Sequence, residues 1–310
     1  MRNAFADEIT RLAADDERVV LLSGDIGNKL FDKFKLKAPG RFMNCGVAEA
    51  NMMSVASGMA LCGLRPFIYT ITPFTTTRCL EQIRVDACYH KLPVVIVGTG
   101  AGLSYAELGP THHSLEDMSL LRSLPEMSVL APCDSVELRL GLRAALQHDG
   151  PVYMRIGKKG EPQIHAEPPE FRLGRAITVR KGTEVCLIST GNMMAVVLEA
   201  AKLLDERGLS ARVESFHSVK PLDTDRLGEL FSAYRAVAVV EEHSRLGGLG
   251  SSVAEWLARQ DEARARLISF GTDDVFMHEV GSHEYARRKF GLTAANIADT
   301  VAARVARMRA

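Results

Sequence analysis

The sequence has no excess charge of either sign, no long hydrophobic run and no paired-cysteine motif, and each absence excludes a class of protein. Lys and Arg number 38 and Asp and Glu 38 across 310 residues. No global field therefore draws the chain to nucleic acid or to an anionic membrane. No uncharged apolar stretch reaches the roughly 20 residues that a membrane-spanning helix needs. The start, MRNAFADEITRLAADDERVV, is an amphipathic, charged helix pattern rather than a signal peptide. The cysteines (Cys45, Cys62, Cys79, Cys88, Cys133, Cys186) show no CxxC spacing and mostly lie in apolar segments. Free buried thiols in a reducing cytosol are expected, hence a cytoplasmic protein. No clustered ligands for a zinc ion are visible, so no metal site on this chain is expected.

What is present is an alternation of β-branched runs and helix-period segments. RVVLLSG (18–24), RPFIYTI (65–71), PVVIVGT (93–99), MSVLAP (127–132) and PVYMRI (151–156) read as strands, with helices near 48–62, 77–89, 116–123 and 134–147. A stretch rich in Pro, Gly and charge, GKKGEPQIHAEPPEFR, then interrupts the pattern and reads as a linker. A second series follows: strands at 184–190, 211–217, 236–242 and 265–271, with helices near 192–207, 223–233, 249–259, 282–290 and 294–308. Continuous apolar strands separated by helices predict an α/β protein of two doubly wound domains, each with a mostly parallel sheet covered on both faces. The expected boundaries are 1–157, a linker over 158–180, and 181–310.

One acid is out of keeping with its neighbours. In CGVAEANMMSVASGMALCG (45–63), Glu49 opens an otherwise small and apolar helix with no Lys or Arg close by in sequence. A helix-dipole contact alone accounts for such a residue at up to about 1 kcal/mol. A desolvated carboxylate poised to share a proton with a heterocycle is the functional reading.

The surrounding motifs decide between them. CGVAEANMMSVASGMA, then PFIYTITPFTTTRCLEQIRVDACYHKLPVVIVGTGAG, then ELGPTHHSLEDMSLLRSLPEMSVLAPCDSVE follow the order found in transketolases, and STGNMMAVVLEAAKLLDERG, VKPLD and VVEEHSRLGGLGSSVAE extend the likeness. The chain resembles the pyrimidine-binding and C-terminal domains of that family over essentially its full length. Deoxyxylulose-phosphate synthases and the β subunits of 2-oxoacid dehydrogenases share the architecture, but their corresponding loops match less well.

The resemblance implies thiamin diphosphate as cofactor. The acid equivalent to Glu49 hydrogen-bonds N1′ of the aminopyrimidine, and the proton sharing favours the imino tautomer that activates thiazolium C2 toward a ketose carbonyl. An apolar setting for Glu49 suits that role, because a charged partner would hold it ionised. Phe74 matches the aromatic that stacks on the pyrimidine, and His112 in GPTHHS matches a histidine facing the reacting centre. Met43, Met52 and Ile71 are expected to be packing residues, and His113 receives no role. Arg155, at the end of PVYMRI, matches a substrate-phosphate arginine and Arg2 an arginine opening the pyrimidine domain; both are expected anion handles, since paired guanidinium donors suit phosphate.

Three positions depart from the family. Leu108 stands where transketolases place an aspartate that reads a donor hydroxyl, Gly100 where they place a phosphate-binding histidine, and Lys29 where they place a serine that meets the phosphate. Leaving a hydroxyl unpaired against leucine costs about 1–3 kcal/mol, so an altered donor or acceptor is expected. The turn EEHSRLGGLGSS has neither P-loop nor GxGxxG order and reads as a tight turn opening a helix, with Glu242 and His243 near a subunit interface by resemblance.

The diphosphate-binding domain, with its Gly-Asp-Gly and downstream Asn for Mg²⁺, is not found. One half of a split transketolase is therefore expected: a partner chain supplies that domain and the Mg²⁺, α2β2 assembly follows from paired active sites, and the single chain is inactive. The alternatives are a 2-oxoacid dehydrogenase β subunit, a deoxyxylulose-phosphate-synthase-like carboligase and a noncatalytic scaffold.

Overall fold

Segments such as VVLLS and VIVGT, apolar or small at nearly every position, are stable only when both faces are covered, and each of their residues is buried. In the computed structural model, which describes residues 1–27, 29–261 and 265–309, they form the centre of the first of two sheets. The strands are β1 (Val19–Ser23), β2 (Phe42–Asn44), β3 (Arg65–Ile71), β4 (Val95–Thr99), β5 (Ser128–Leu130), β6 (Val152–Ile156), β7 (Ile177–Arg180), β8 (Val185–Ser189), β9 (Ala211–Ser215), β10 (Ser218–Lys220), β11 (Ala236–Ser244) and β12 (Arg266–Thr272). The first sheet runs β10-β5-β6-β4-β3-β1-β2 and the second β12-β11-β8-β9-β7. All pairings are parallel except β10 on β5 and β7 on β9.

Helices close both faces of each sheet. On the first sheet, Phe5, Ile9 and Leu12 of the helix Arg2–Asp15 join Leu138 and Leu142 of the helix Ser135–Gln147 on one side. On the other, Met52, Met53 and Ala56 of the helix Glu49–Leu61 meet Ile83 and Ala87. Each such large apolar side chain, fully buried, contributes about 1.5–3 kcal/mol. The second sheet is covered likewise, by the helices Met194–Asp205 and Ala294–Arg309 on one face and Thr224–Ala233 and Leu249–Leu257 on the other.

Four differences from the sequence expectation stand out. β2 and β10 are three residues long and β7 four, too short for a period-two pattern to show. β7 also takes Ile177–Arg180 out of the expected linker and pairs it with β9. β10 leaves the second domain to pair with β5, tying the two domains into a shared sheet. The helix expected over 77–89 is a 3-10 turn (Thr77–Cys79), a single α-turn (Leu80–Gln82) and a π-helical segment (Ile83–Tyr89). Such π segments recur beside functional sites.

Candidate active site

The carboxyl ends of β1, β3, β4 and β6 open on one edge of the first sheet, where parallel α/β sheets bind ligands. Glu49 begins the helix that follows β2 and is only 2% exposed. Gly24, just past β1, lets it in: a Cβ there would lie 3.2 Å from both Glu49 Cγ and Thr70 Cβ. The carboxylate is not in apolar surroundings. Arg78 Nη1 donates to Glu49 Oε2 at 2.8 Å, and the same guanidinium lies 4.2 Å from the centre of the Phe74 ring. The expectation of an acid without a charged partner is therefore corrected. The two residues are 29 apart in sequence, and the turn after β3 folds Arg78 back onto the acid.

A continuous wall extends from this pair. The Phe74 and His112 rings meet edge to face at 5.4 Å between centroids, and His112 meets Tyr105 at 6.1 Å. Lys158 Nζ sits 4.3 Å over Tyr105 and pairs with Glu107, whose carboxyl it holds below the usual range. His112 is half-buried, with Nδ1 2.9 Å from Thr111 Oγ1. Burial pushes the neighbouring His113 toward its neutral form, and its Nε2 has no partner among the described residues. Gly100 is explained by the same wall. Its φ is +80°, and a Cβ would lie 2.0 Å from the Tyr105 ring, so the aromatic fills the space a side chain at 100 would need.

The structure thus brings together Glu49, Phe74 and His112, with Leu108 beside them on the turn Ala106–Leu108, 48% exposed. Arg155 is elsewhere. It is 2% exposed, donating from Nε to Asp117 Oδ2 at 2.7 Å and from Nη2 to the carbonyls of Ser114 (3.0 Å) and Glu242 (2.9 Å). Burial would push the Asp117 carboxyl up, but Arg155 and His243 outweigh it and hold it down. Arg155 is buried in an ion pair within the first domain and reaches the second through the Glu242 carbonyl, so its reading as an anion handle is corrected. Lys158, which sequence reasoning missed, is, with Arg78, a cation against the wall; its only sequence signal is its place three residues past Arg155. Arg2 opens the first helix, and its buried Nε has no acceptor among the described residues. Burial pushes the nearby Tyr69 hydroxyl well above its usual value. The Lys29 side chain is exposed and makes no hydrogen bond or ion pair among the described residues.

Two buried carboxylates follow one another on β11, and Glu242 serves the domain junction. Glu242 accepts from Leu103 N at 2.8 Å, His283 Nε2 at 2.8 Å and Arg287, all within its own chain, and Arg287 foremost holds its carboxyl far below the usual range despite burial. Glu241 accepts from the amides of Leu249 (2.7 Å) and Gly250 (2.8 Å), which accounts for the tight turn before that helix. The fold also gathers Cys133, Glu137 and His165, a grouping no sequence spacing disclosed. His165 Nε2 donates to Glu137 Oε1 at 2.9 Å, and burial pushes the Cys133 thiol far up, so the three are satisfied as an ion pair beside a neutral thiol.

The arrangement defines a two-domain α/β protein with a seat for a flat, hydrogen-bonding ring, made of a buried carboxylate and an aromatic face. The Arg78 guanidinium, itself planar and N–H-bearing, demonstrates that such a group fits between them. Residues 1–162 match the family model of the transketolase pyrimidine-binding domain, and residues 174–297 that of the transketolase C-terminal domain. The chain belongs to the transketolase family. It is 38% identical over 298 residues to the 6-deoxy-6-sulfo-D-fructose transketolase subunit SqwH of Clostridium sp. strain MSTE9, covering 96% of this chain and 92% of that one. It is 33% identical over 296 residues to one of the subunits of the apulose-4-phosphate transketolase of Phocaeicola vulgatus, covering 94% of each. Among solved structures, a split gene transketolase described as an inactive beta4 tetramer matches with a TM-score of 0.88 at 36% identity, over 97% of this chain and 96% of that one.

Proposed function

We propose that this chain is the pyrimidine-binding and C-terminal subunit of a heteromeric thiamin diphosphate-dependent transketolase, which moves a two-carbon ketol unit from a ketose to an aldose. The carrying observation is Glu49, a buried acid at the carboxyl edge of the sheet facing Phe74. Thiamin diphosphate supplies the carbanion-stabilising chemistry for the two-carbon unit. Glu49 holds a proton at the pyrimidine nitrogen, Phe74 supports the ring face, and His112, at the edge of Phe74, is within reach of the donor's oxygens. A partner chain brings the diphosphate-binding domain and its Mg²⁺, the assembly is α2β2, and the enzyme works in the cytoplasm. Two relatives named as subunits, and a split gene transketolase described as an inactive beta4 tetramer, support the division of labour. No helix among the described residues is long and apolar enough to cross a membrane.

The substrate is a ketose outside the standard pentose phosphates. Leu108 offers a donor hydroxyl no hydrogen bond, and Tyr105 fills the space over Gly100. Lys158 and Arg2 supply positive charge for an anionic far end, with Lys29 a further cation. The sulfosugar and apulose phosphate in the relatives' names are consistent with such a rewritten pocket.

The test is reconstitution with the partner chain, followed by a ketose donor screen with product analysis. The complex is expected to transfer ketol units without releasing CO₂, and Glu49→Ala to lower turnover by at least about 100-fold. Full turnover by the single chain, CO₂ release, or an active Glu49→Ala complex would each contradict the proposal.

A further inference from the structure

Glu49 and Phe74 already have an occupant. The Arg78 guanidinium uses Glu49 Oε2 as its acceptor at 2.8 Å and the Phe74 ring as its stacking surface at 4.2 Å. An aminopyrimidine presents the same two features, a flat face and hydrogen-bonding nitrogen at the ring edge. One ring face and one carboxylate oxygen cannot serve both at once.

We infer that Arg78 is a positioning residue that holds the pyrimidine seat and competes with the cofactor for Glu49 and Phe74. This rests on the reading above that thiamin diphosphate binds at that pair. The geometry supports a side chain that can leave: Arg78 is 44% exposed while Glu49 is 3%, and it stands on a single 3-10 turn, Thr77–Cys79. Its guanidinium makes no other hydrogen bond among the described residues. The neighbouring Cys79 thiol, pushed up to about 12 chiefly by burial, adds no rival charge.

The contact has two opposing consequences. With Arg78 in place, Glu49 is not left as a buried carboxylate without a counter-charge, an arrangement that is strongly unfavourable. The same contact must be broken before the ring can sit down, so the cofactor's apparent affinity falls in proportion to the fraction of molecules with the seat open. Arg78 therefore stabilises the chain alone and weakens cofactor binding, two effects of one interaction.

Calorimetric titration of the assembled complex with thiamin diphosphate and Mg²⁺ tests this, using the parent, Arg78→Gln and Arg78→Lys. Arg78→Gln is expected to bind about tenfold more tightly, a difference equivalent to about 1.4 kcal/mol, while the variant chain alone melts at a lower temperature. Arg78→Lys keeps the positive charge but loses the flat stacking group, and is expected to fall between the two. It also carries the test if the glutamine variant does not fold. Unchanged or weaker cofactor binding in the variants overturns the inference and leaves the function standing. A parent complex that binds no thiamin diphosphate overturns both.

Discussion

At position 155 the sequence presents an arginine at a strand end on the catalytic domain, and chemistry alone reads it as an anion handle. Burial reverses that reading, because the Nε and Nη2 donors go to Asp117, to the Ser114 carbonyl and, across the domain junction, to the Glu242 carbonyl. Removing the acid leaves the guanidinium buried and unpaired, a change that typically costs about 3–5 kcal/mol. Asp117→Ala should therefore lower the urea midpoint by a corresponding amount; an unchanged midpoint would show that the buried pair does not stabilise the first domain. Glu49, Phe74 and His112 were legible because their motifs carry residue types in a fixed order. Arg78 and Lys158 were not, because their roles come from folding onto Glu49 and Tyr105, and nothing in TTTRCLEQ or IGKKG marks that contact.

Elements were mostly legible in proportion to their length, with the three-residue β5 the exception, marked by the apolar run MSVLAP. The central strands and the long helices show clear periodicity, whereas β2, β7 and β10 hold too few residues to show any. The linker is the least legible element, and it is fastened by polar contacts. Asp134 Oδ2 accepts from the amides of Ile164 (2.8 Å) and His165 (2.9 Å), and the His165 ring bonds Glu137. Burial alone would lower the His165 pKa, but Glu137 outweighs it and the net shift is upward. The folded state therefore holds this proton more tightly than the unfolded state. Its stabilising contribution is complete below the unfolded value of about 6.5 and is lost as pH rises through the folded value. Melting temperatures measured from pH 6 upward should fall more steeply for the parent chain than for His165→Gln. Parallel curves would show that the latch does not titrate in this range.

For the whole molecule, the two sheets are bound by β10 pairing with β5, by Glu242, which accepts from Leu103 N and from Arg155 Nη2, and by the Arg122–Glu255 ion pair. This junction keeps the loops after β4 and β6 in register with the carboxyl edge that bears Glu49. That edge is half of a site, and the exposed Val47, two residues before Glu49, marks where apolar surface remains uncovered in the single chain. The two-domain plan was legible from the alternating strands and the Pro- and Gly-rich interruption. The junction was not, since its contacts link residues up to 139 apart. The most direct test of the account is a structure of the assembled two-chain complex with thiamin diphosphate bound. It should show the pyrimidine on the face of Phe74, with its ring nitrogen within hydrogen-bond distance of the Glu49 carboxylate and Arg78 displaced. A ring anchored away from Glu49, or Glu49 turned out to solvent, would contradict it.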